Sequence, residues 1–109
     1  MEEEAYVSQR ETALLKKKAY AEAMLMSRGN IKTLNKTVNG MLSPSVRARM
    51  IAELQQCLIR VIKACEYLLD TINQRETEAD RSLLAQIGLM LEYAAVLDVR
   101  IDNLPPGVQ

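Results

Sequence analysis

Histidine, tryptophan and phenylalanine are absent from this sequence, and glycine and proline are scarce, with four and three copies among 109 residues. Without histidine, the chain lacks the commonest general base, the Ser–His and Cys–His nucleophile pairs and the usual Cys/His zinc sites. The glycines are isolated from one another, so no glycine-rich loop is present to cradle a phosphate. These absences predict a protein that is not an enzyme and that holds no cofactor or metal.

Cysteine is limited to Cys57 and Cys65, which lie eight residues apart on one predicted helix. That spacing separates their Cα atoms by roughly 12 Å, whereas a disulfide requires Cα atoms within about 7 Å. The chain starts Met1-Glu2-Glu3-Glu4, unlike the basic start of a signal peptide, and no uninterrupted apolar stretch reaches about 18 residues. We therefore expect a cytoplasmic protein that does not insert into membranes.

Hydrophobic residues make up 49% of the chain but aromatic residues only 4%, so the core must be built from aliphatic side chains. Residues that favour strands do not cluster between turn signals, which leaves no predicted sheet. A chain of 109 residues is too short for a second domain with a core of its own. The composition predicts a single all-α domain.

The strongest helical pattern runs from Pro44 to about Asn73. Ser43 is a suitable N-cap, and Pro44 then occupies the first helical position. Apolar residues recur along this segment at alternating spacings of three and four: Ile51, Leu54, Leu58, Val61, Cys65, Leu68 and Ile72. This unbroken seam predicts a helix of about 45 Å.

A second helix is predicted from 78 to about 104. Thr77 and Asp80 resemble a capping box with Asp in place of Glu, and Pro105 ends the helix, which leaves a short tail at 105–109. The apolar seam of this helix begins one residue out of phase with the first seam, and its members are Leu83, Ile87, Met90, Ala94, Leu97, Ile101 and Leu104. A loop at 73–77 accounts for the phase shift and makes the two helices a hairpin. One unbroken helix from 44 to 104 is the alternative, because the loop contains neither glycine nor proline.

The N-terminal third carries a weaker apolar register, interrupted by Lys17 and Ser27. Its members are Ala13, Tyr20, Met24, Ile31, Leu34, Val38 and Met41. We favour one long helix over about 3–39, possible because an internal glycine costs only about 1 kcal/mol. Two helices that meet at Gly29-Asn30, a typical helix-ending dipeptide, are the alternative. Together the segments predict an antiparallel three-helix bundle, or a hairpin with a long N-terminal helix, packed like a coiled coil.

Charge is balanced at 14 basic and 14 acidic residues, which argues against a generic binder of polyanions. The lysines at 16–18 form the only basic run, and three successive helical residues spread around the helix rather than forming one patch. Two acidic pairs have helical spacing, Glu66 with Asp70 and Asp98 with Asp102. We interpret both pairs as solvated faces of amphipathic helices.

Packing against one neighbouring helix requires an apolar stripe a little over 100° wide. The apolar face of the middle helix is wider than that. Ile59 and Tyr67 lie off its main seam, so the helix lies between two helices of its own chain, contacts another chain, or does both. Met26 and Met41 add flexible, polarizable side chains that suit varied helical ligands. The predicted partner-binding residues are Leu58, Ile59, Ile62, Tyr67, Leu69, Met26 and Met41.

These features predict a non-enzymatic interaction module, namely a small adaptor, chaperone or assembly subunit that packs an apolar helical surface against a partner helix. The first alternative is a homo-oligomer in which the 44–104 segment pairs with itself. The second is a nucleic-acid or membrane-surface binder that works through basic residues of the N-terminal helix: Lys16, Lys17, Lys18, Arg28, Lys32 and Lys36. The balanced charge argues against nucleic acid and membranes as partners.

Overall fold

The structure is a computed structural model that describes residues 2–108; Met1 and Gln109, the last residue of the predicted tail, lie outside it. Helices and turns account for all the regular structure in this range, which confirms the all-α prediction. The helices are α1 (Glu2–Ser27), α2 (Val38–Met41), α3 (Val46–Asp70) and α4 (Glu78–Asp102). Two short 3₁₀ turns, Leu34–Thr37 and Pro106–Val108, complete the regular structure of this range.

The long helix α3 lies at the centre, with α1 along one flank and α4 along the other. Lys18 of α1 lies beside Glu66 of α3, whereas the end of α1 contacts Gln55, so α1 and α3 run antiparallel. Cys57 of α3 contacts the backbone of Met90, and the α3–α4 connection is a short turn, so this pair is antiparallel too. The predicted antiparallel helical bundle is therefore confirmed.

The core follows the predicted seam of α3. Leu54, Leu58, Val61, Cys65 and Leu68 are fully buried. The flanking helices complete this core from α1 with Leu14, Ala21 and Leu25, and from α4 with Ile87, Ala94, Leu97 and Ile101. Burying each large aliphatic side chain contributes about 1.5–3 kcal/mol relative to leaving it exposed, so α3 is the helix on which most of the stability depends.

The N-terminal helix ends at Ser27, and the favoured continuous helix over 3–39 is not found. Gly29 has a φ of 103° and Asn30 a φ of 53°, both in the left-handed region that a glycine tolerates best. The backbone N–H of Asn30 donates to the carbonyl of Leu25 at 2.9 Å, which satisfies a carbonyl left free at the helix end. The alternative break at 29–30 is the arrangement observed.

The seam of α1 also differs from the predicted register. Leu14, Ala21 and Leu25 face the core, whereas Tyr20, predicted on the seam, is half-exposed. The physical reason is that Arg10 and Arg28 lie on the same helical stripe as the buried residues, and their side chains are only 10% exposed. Long basic side chains can cover apolar surface with their methylene groups, so a polar residue interrupts the pattern without interrupting the packing.

The hairpin of α3 and α4 matches the prediction except at its ends. The N-cap of α3 is Ser45, whose hydroxyl accepts a hydrogen bond from the Ala48 backbone at 3.1 Å, so Ser43 and Pro44 precede the helix instead of starting it. At the start of α4, Thr77 and Asp80 form the predicted capping box. The helices are separated by a turn, so the unbroken helix from 44 to 104 is not found.

Two glycines give a test of this packing. Gly40 of α2 lies so close to α3 that a Cβ atom there would meet the Cβ of Ala52 at 2.9 Å, whereas a Cβ at Gly88 would meet nothing within 4 Å. Gly88→Ala should therefore stabilise the chain by about 0.5–1 kcal/mol, through helix propensity and a restricted unfolded state. Gly40→Ala should destabilise it by about 1–3 kcal/mol through overpacking. Urea denaturation of both variants measures the difference, and equal effects would contradict the close approach of α2.

The capping box predicts a pH dependence. The Thr77 backbone N–H donates to the Asp80 carboxylate at 2.9 Å, and this hydrogen bond lowers the pKa of Asp80. The carboxylate therefore contributes stability that is fully present above its unfolded-state pKa and is lost as the pH falls through the lower folded-state pKa. Asp80→Asn removes this titration. The difference in melting temperature between the two proteins should shrink from pH 7 to about pH 2, and a constant difference would contradict the role of the charge.

Candidate partner-binding groove

A groove of about 400 Å³ lies between the last turns of α1 and the middle of α3. We call it the α1–α3 groove. Its lining residues are Glu22, Leu25, Met26, Asn30, Lys32, Ile59, Ile62, Lys63 and Glu66. The helix end at Gly29-Asn30 turns the chain across this end of α1, which is how Asn30 and Lys32 reach the groove.

The floor of the groove is apolar. Leu25 and Ile59 are buried at its base, Ile62 is half-buried, and Met26 is 65% exposed at the edge. A methionine side chain has three rotatable bonds and a polarizable sulfur, so it adapts to differently shaped apolar groups. The groove therefore presents aliphatic surface with one adaptable side chain beside it.

The rim of the groove carries both signs of charge. Glu22 and Glu66 supply carboxylates, and Lys32 and Lys63 supply ammonium groups. Glu66 lies 3.8 Å from Lys18, and with both side chains partly exposed this ion pair contributes little to stability. A rim of this kind suits a ligand that itself has an apolar centre and charged edges of both signs, and it does not suit a polyanion.

Arg28 holds the α1 end of the groove in place. Its Nε donates to Asp98 at 2.8 Å, and one Nη donates to Asp102 at 2.9 Å. Its carbonyl accepts from the Gln55 side chain at 2.6 Å, so one residue contacts both α3 and α4. Burial acts to lower the pKa of Arg28, but the hydrogen bonds and charges of Asp98 and Asp102 outweigh it and raise the pKa.

This arrangement corrects the interpretation of one acidic pair. Asp98 and Asp102 were expected to be a solvated face, but both carboxylates bind Arg28. Glu66 and Asp70 are exposed, as the solvated-face interpretation requires. In the part of the chain that the structure describes, no three carboxylate or thiol groups come together in a way that could hold a metal ion.

The structure brings together three of the seven predicted partner-binding residues, Met26, Ile59 and Ile62, in the α1–α3 groove. Ile59, predicted to face another chain, is only 2% exposed and lies in the core, so that part of the interpretation is corrected. The reason is that α1 covers this flank of α3, and the alternative of a helix between two helices of its own chain is the one observed.

The other four predicted residues lie outside the groove. Leu58 is fully buried in the core and offers no surface to a partner, and Leu69 is half-buried against the core. Tyr67 is 54% exposed on α3, and Met41 is partly exposed on α2. Sequence reasoning missed Glu22, Leu25 and Lys32. These residues come to lie beside α3 only because α1 ends at Ser27 and the chain then turns.

Comparison with known proteins identifies a family for the hairpin. A family model described as Sequestin matches residues 44–103, which is more than half of the chain and spans α3 and α4 from the residue before the N-cap of α3 to the end of α4. No curated protein and no solved structure matches the chain. The α3 wall of the α1–α3 groove lies inside the matched range, and the α1 wall lies outside it.

The Arg28 contacts predict a measurable coupling between α1 and α4. Arg28→Ala should destabilise the chain by about 1.5–3 kcal/mol, because it removes hydrogen bonds to charged groups. A double-mutant cycle with Asp98→Ala should give a coupling energy above about 0.5 kcal/mol. Lys36→Ala, at an exposed lysine of the 3₁₀ turn, is the control and should change stability by less than about 0.5 kcal/mol. Additive effects of Arg28→Ala and Asp98→Ala would contradict the proposed contact.

Proposed function

Because the chain belongs to the Sequestin family, we propose that it is a small, non-enzymatic protein-binding module that holds a helix of another protein in the α1–α3 groove. In this proposal the protein sequesters its partner, as the family name suggests, and carries out no chemistry on it. The observation that carries the proposal is the groove itself, an apolar floor between two long helices with an exposed methionine at the edge.

A helix is the ligand that the shape of the groove favours. Two adjacent helices present parallel ridges with a furrow between them, and a third helix packs into such a furrow at an interaxial distance of about 8–10 Å. The apolar face of an amphipathic helix would then cover Ile62 and Met26. In this mode of binding, apolar residues spaced three and four apart on the partner helix pack into the groove.

The charges on the rim define the rest of the partner. Glu22 and Glu66 would meet basic residues on its flanks, and Lys32 and Lys63 would meet acidic ones. Rim charges of this kind influence the rate and orientation of binding more than its strength. We therefore propose an amphipathic partner helix with an apolar stripe and both signs of charge beside it.

The nucleic-acid alternative receives less support than this one. Of the six basic residues on which it depends, Arg28 is bound to two aspartates and Lys18 pairs with Glu66. We also propose a cytoplasmic location, in keeping with the free, buried thiols of Cys57 and Cys65. Burial raises the pKa of both thiols, which disfavours the reactive thiolate.

Site-specific photo-crosslinking in the native cell tests the groove. A photoreactive amino acid at Met26 should capture a partner, which mass spectrometry identifies, and the same group at Leu42, which is 78% exposed, is the control. The purified partner should then bind Met26→Asp and Ile62→Asp variants at least tenfold more weakly than the parent chain, or by about 1.4 kcal/mol. Leu42→Asp should leave the affinity unchanged.

Three results would contradict this function. They are equal capture from Met26 and Leu42, an affinity that the two groove substitutions leave unchanged, and a captured segment that is not helical when bound. Circular dichroism of each variant keeps the test valid, since a loss of helix would show that the substitution had damaged the fold. Because Met26 is exposed, its replacement opens no cavity and the variant should fold normally.

A further inference from the structure

The outer face of α4 is apolar although no part of the described chain covers it. Leu89, Val96 and Val99 are each more than half exposed, and Tyr93 lies beside them at 45%. The opposite face packs on α3, so α4 is apolar on both sides. By length and composition alone this helix could cross a membrane. Only 17% of the most apolar 18-residue stretch of the helix is buried inside the protein.

The exposed residues are regularly spaced. Ala85, Leu89, Glu92, Val96, Val99 and Asn103 follow one another at alternating spacings of four and three along α4. Such spacing places the residues on one stripe of a helix, and it is the pattern by which two helices pack in a coiled coil. The α4 stripe, as we call this set, is a second seam, separate from the one that faces α3.

The charges around this stripe are complementary between two copies that pack antiparallel. Glu92 precedes Val96 by four residues, and Arg100 follows it by four; Tyr93 and Val99 lie three residues to either side. A twofold axis at Val96 therefore brings Glu92 of one copy level with Arg100 of the other, twice. In a parallel pair the two Glu92 carboxylates would face each other, which costs stability.

We propose that the α4 stripe is a homodimer interface, in which a second copy of this chain packs its α4 antiparallel to the first with Val96 at the centre. A symmetric, self-complementary contact is the usual form of a twofold dimer. The contact shares no residue with the α1–α3 groove, so a dimer would hold two open grooves. The dimer does not depend on the proposed function, and either can be wrong while the other is right.

The size of the stripe predicts a weak dimer. With Val96 at the centre, residue 90 of one copy lies level with residue 102 of the other, so the two α4 helices overlap only over residues 90–102. This overlap is about 20 Å long and about 10 Å wide, which is smaller than the area that most specific interfaces bury and is typical of weak, transient complexes. We expect dissociation in the high micromolar range, so that monomer and dimer exchange with concentration.

A membrane is the other surface that could cover this face, and the charges argue against it. Glu92 and Arg100 flank the centre of the stripe, and both would have to enter or approach hydrocarbon, where charged side chains are strongly disfavoured. In the dimer the same two residues pair across the interface. The segment from residue 76 onward also carries six acidic and two basic residues, which disfavours an anionic lipid surface.

Sedimentation of the full chain between about 1 µM and 1 mM tests the proposal, a range that brackets the affinity expected for so small an interface. The parent chain should shift from monomer to dimer. Val96→Asp should weaken association at least tenfold, whereas Val38→Asp, at a valine of similar exposure on α2 (48% against 59%), should not change it. A chain that stays monomeric throughout, or a dimer that Val96→Asp leaves intact, would overturn the proposal.

Charge exchange tests the antiparallel register. Glu92→Lys and Arg100→Glu should each weaken the dimer, and a mixture of the two variants should associate again, because every facing pair then has opposite charges. Val96→Cys should form a disulfide-linked dimer on oxidation, since its Cα atoms would lie within about 7 Å, and Val38→Cys should not. No recovery in the mixture, with no cross-link at position 96, would overturn this arrangement.

Co-sedimentation with phosphatidylcholine vesicles, with and without phosphatidylglycerol, tests the membrane instead. Binding to vesicles that Val96→Asp abolishes, by a chain that stays monomeric in solution, would overturn the dimer. The absence of vesicle binding together with the expected dimer supports it. Met26→Asp should leave self-association unchanged, which separates a failure of this proposal from a failure of the α1–α3 groove as a binding site.

Discussion

The two-sided burial of α3 is the constraint on which the rest of the structure depends. Its apolar residues cover too much of its circumference for one neighbouring helix, so the helix is stable only with a helix on each flank. That requirement places α1 and α4 on either side and sets their directions, because short and medium connections return the chain along the same axis. The groove and the α4 stripe are what remains uncovered once α3 is enclosed.

Polar contacts then determine how the flanking helices close at their ends. Arg28 joins the end of α1 to α4 through Asp98 and Asp102, and its backbone is held by Gln55 of α3. At the other end of the bundle, Arg10 of α1 forms an ion pair of 3.0 Å with Glu76 in the α3–α4 turn. The core of the bundle is aliphatic, and the ion pairs of the largely buried Arg10 and Arg28 lie near its two ends. The Lys18–Glu66 pair lies between them but is partly exposed, so none of these pairs enters the core.

The sequence was most informative where one physical effect acted alone. The seam of α3 is uninterrupted, and the Thr77–Asp80 capping box satisfies free backbone groups through local hydrogen bonds, so both were predictable. The register of α1 was not, because Arg10 and Arg28 occupy positions on its buried stripe and form ion pairs with carboxylates that are distant in the sequence. The same limit applied to the groove: Met26 and Ile62 were identified from their chemistry, but Lys32 reaches them only through the turn at Gly29.

The sequence by itself determined the helical class, the hairpin of α3 and α4 and the excess of apolar surface on α3, since periodicity and capping are local properties of the chain. Only the tertiary structure decided which surface is free. Ile59 and Met26 are both apolar residues on amphipathic helices, yet one is 2% exposed and the other 65%. Burial depends on which neighbouring helix covers a given flank, and that follows from the packing of α1, whose end is set by the left-handed backbone at Gly29 and by a long-range contact of Arg28.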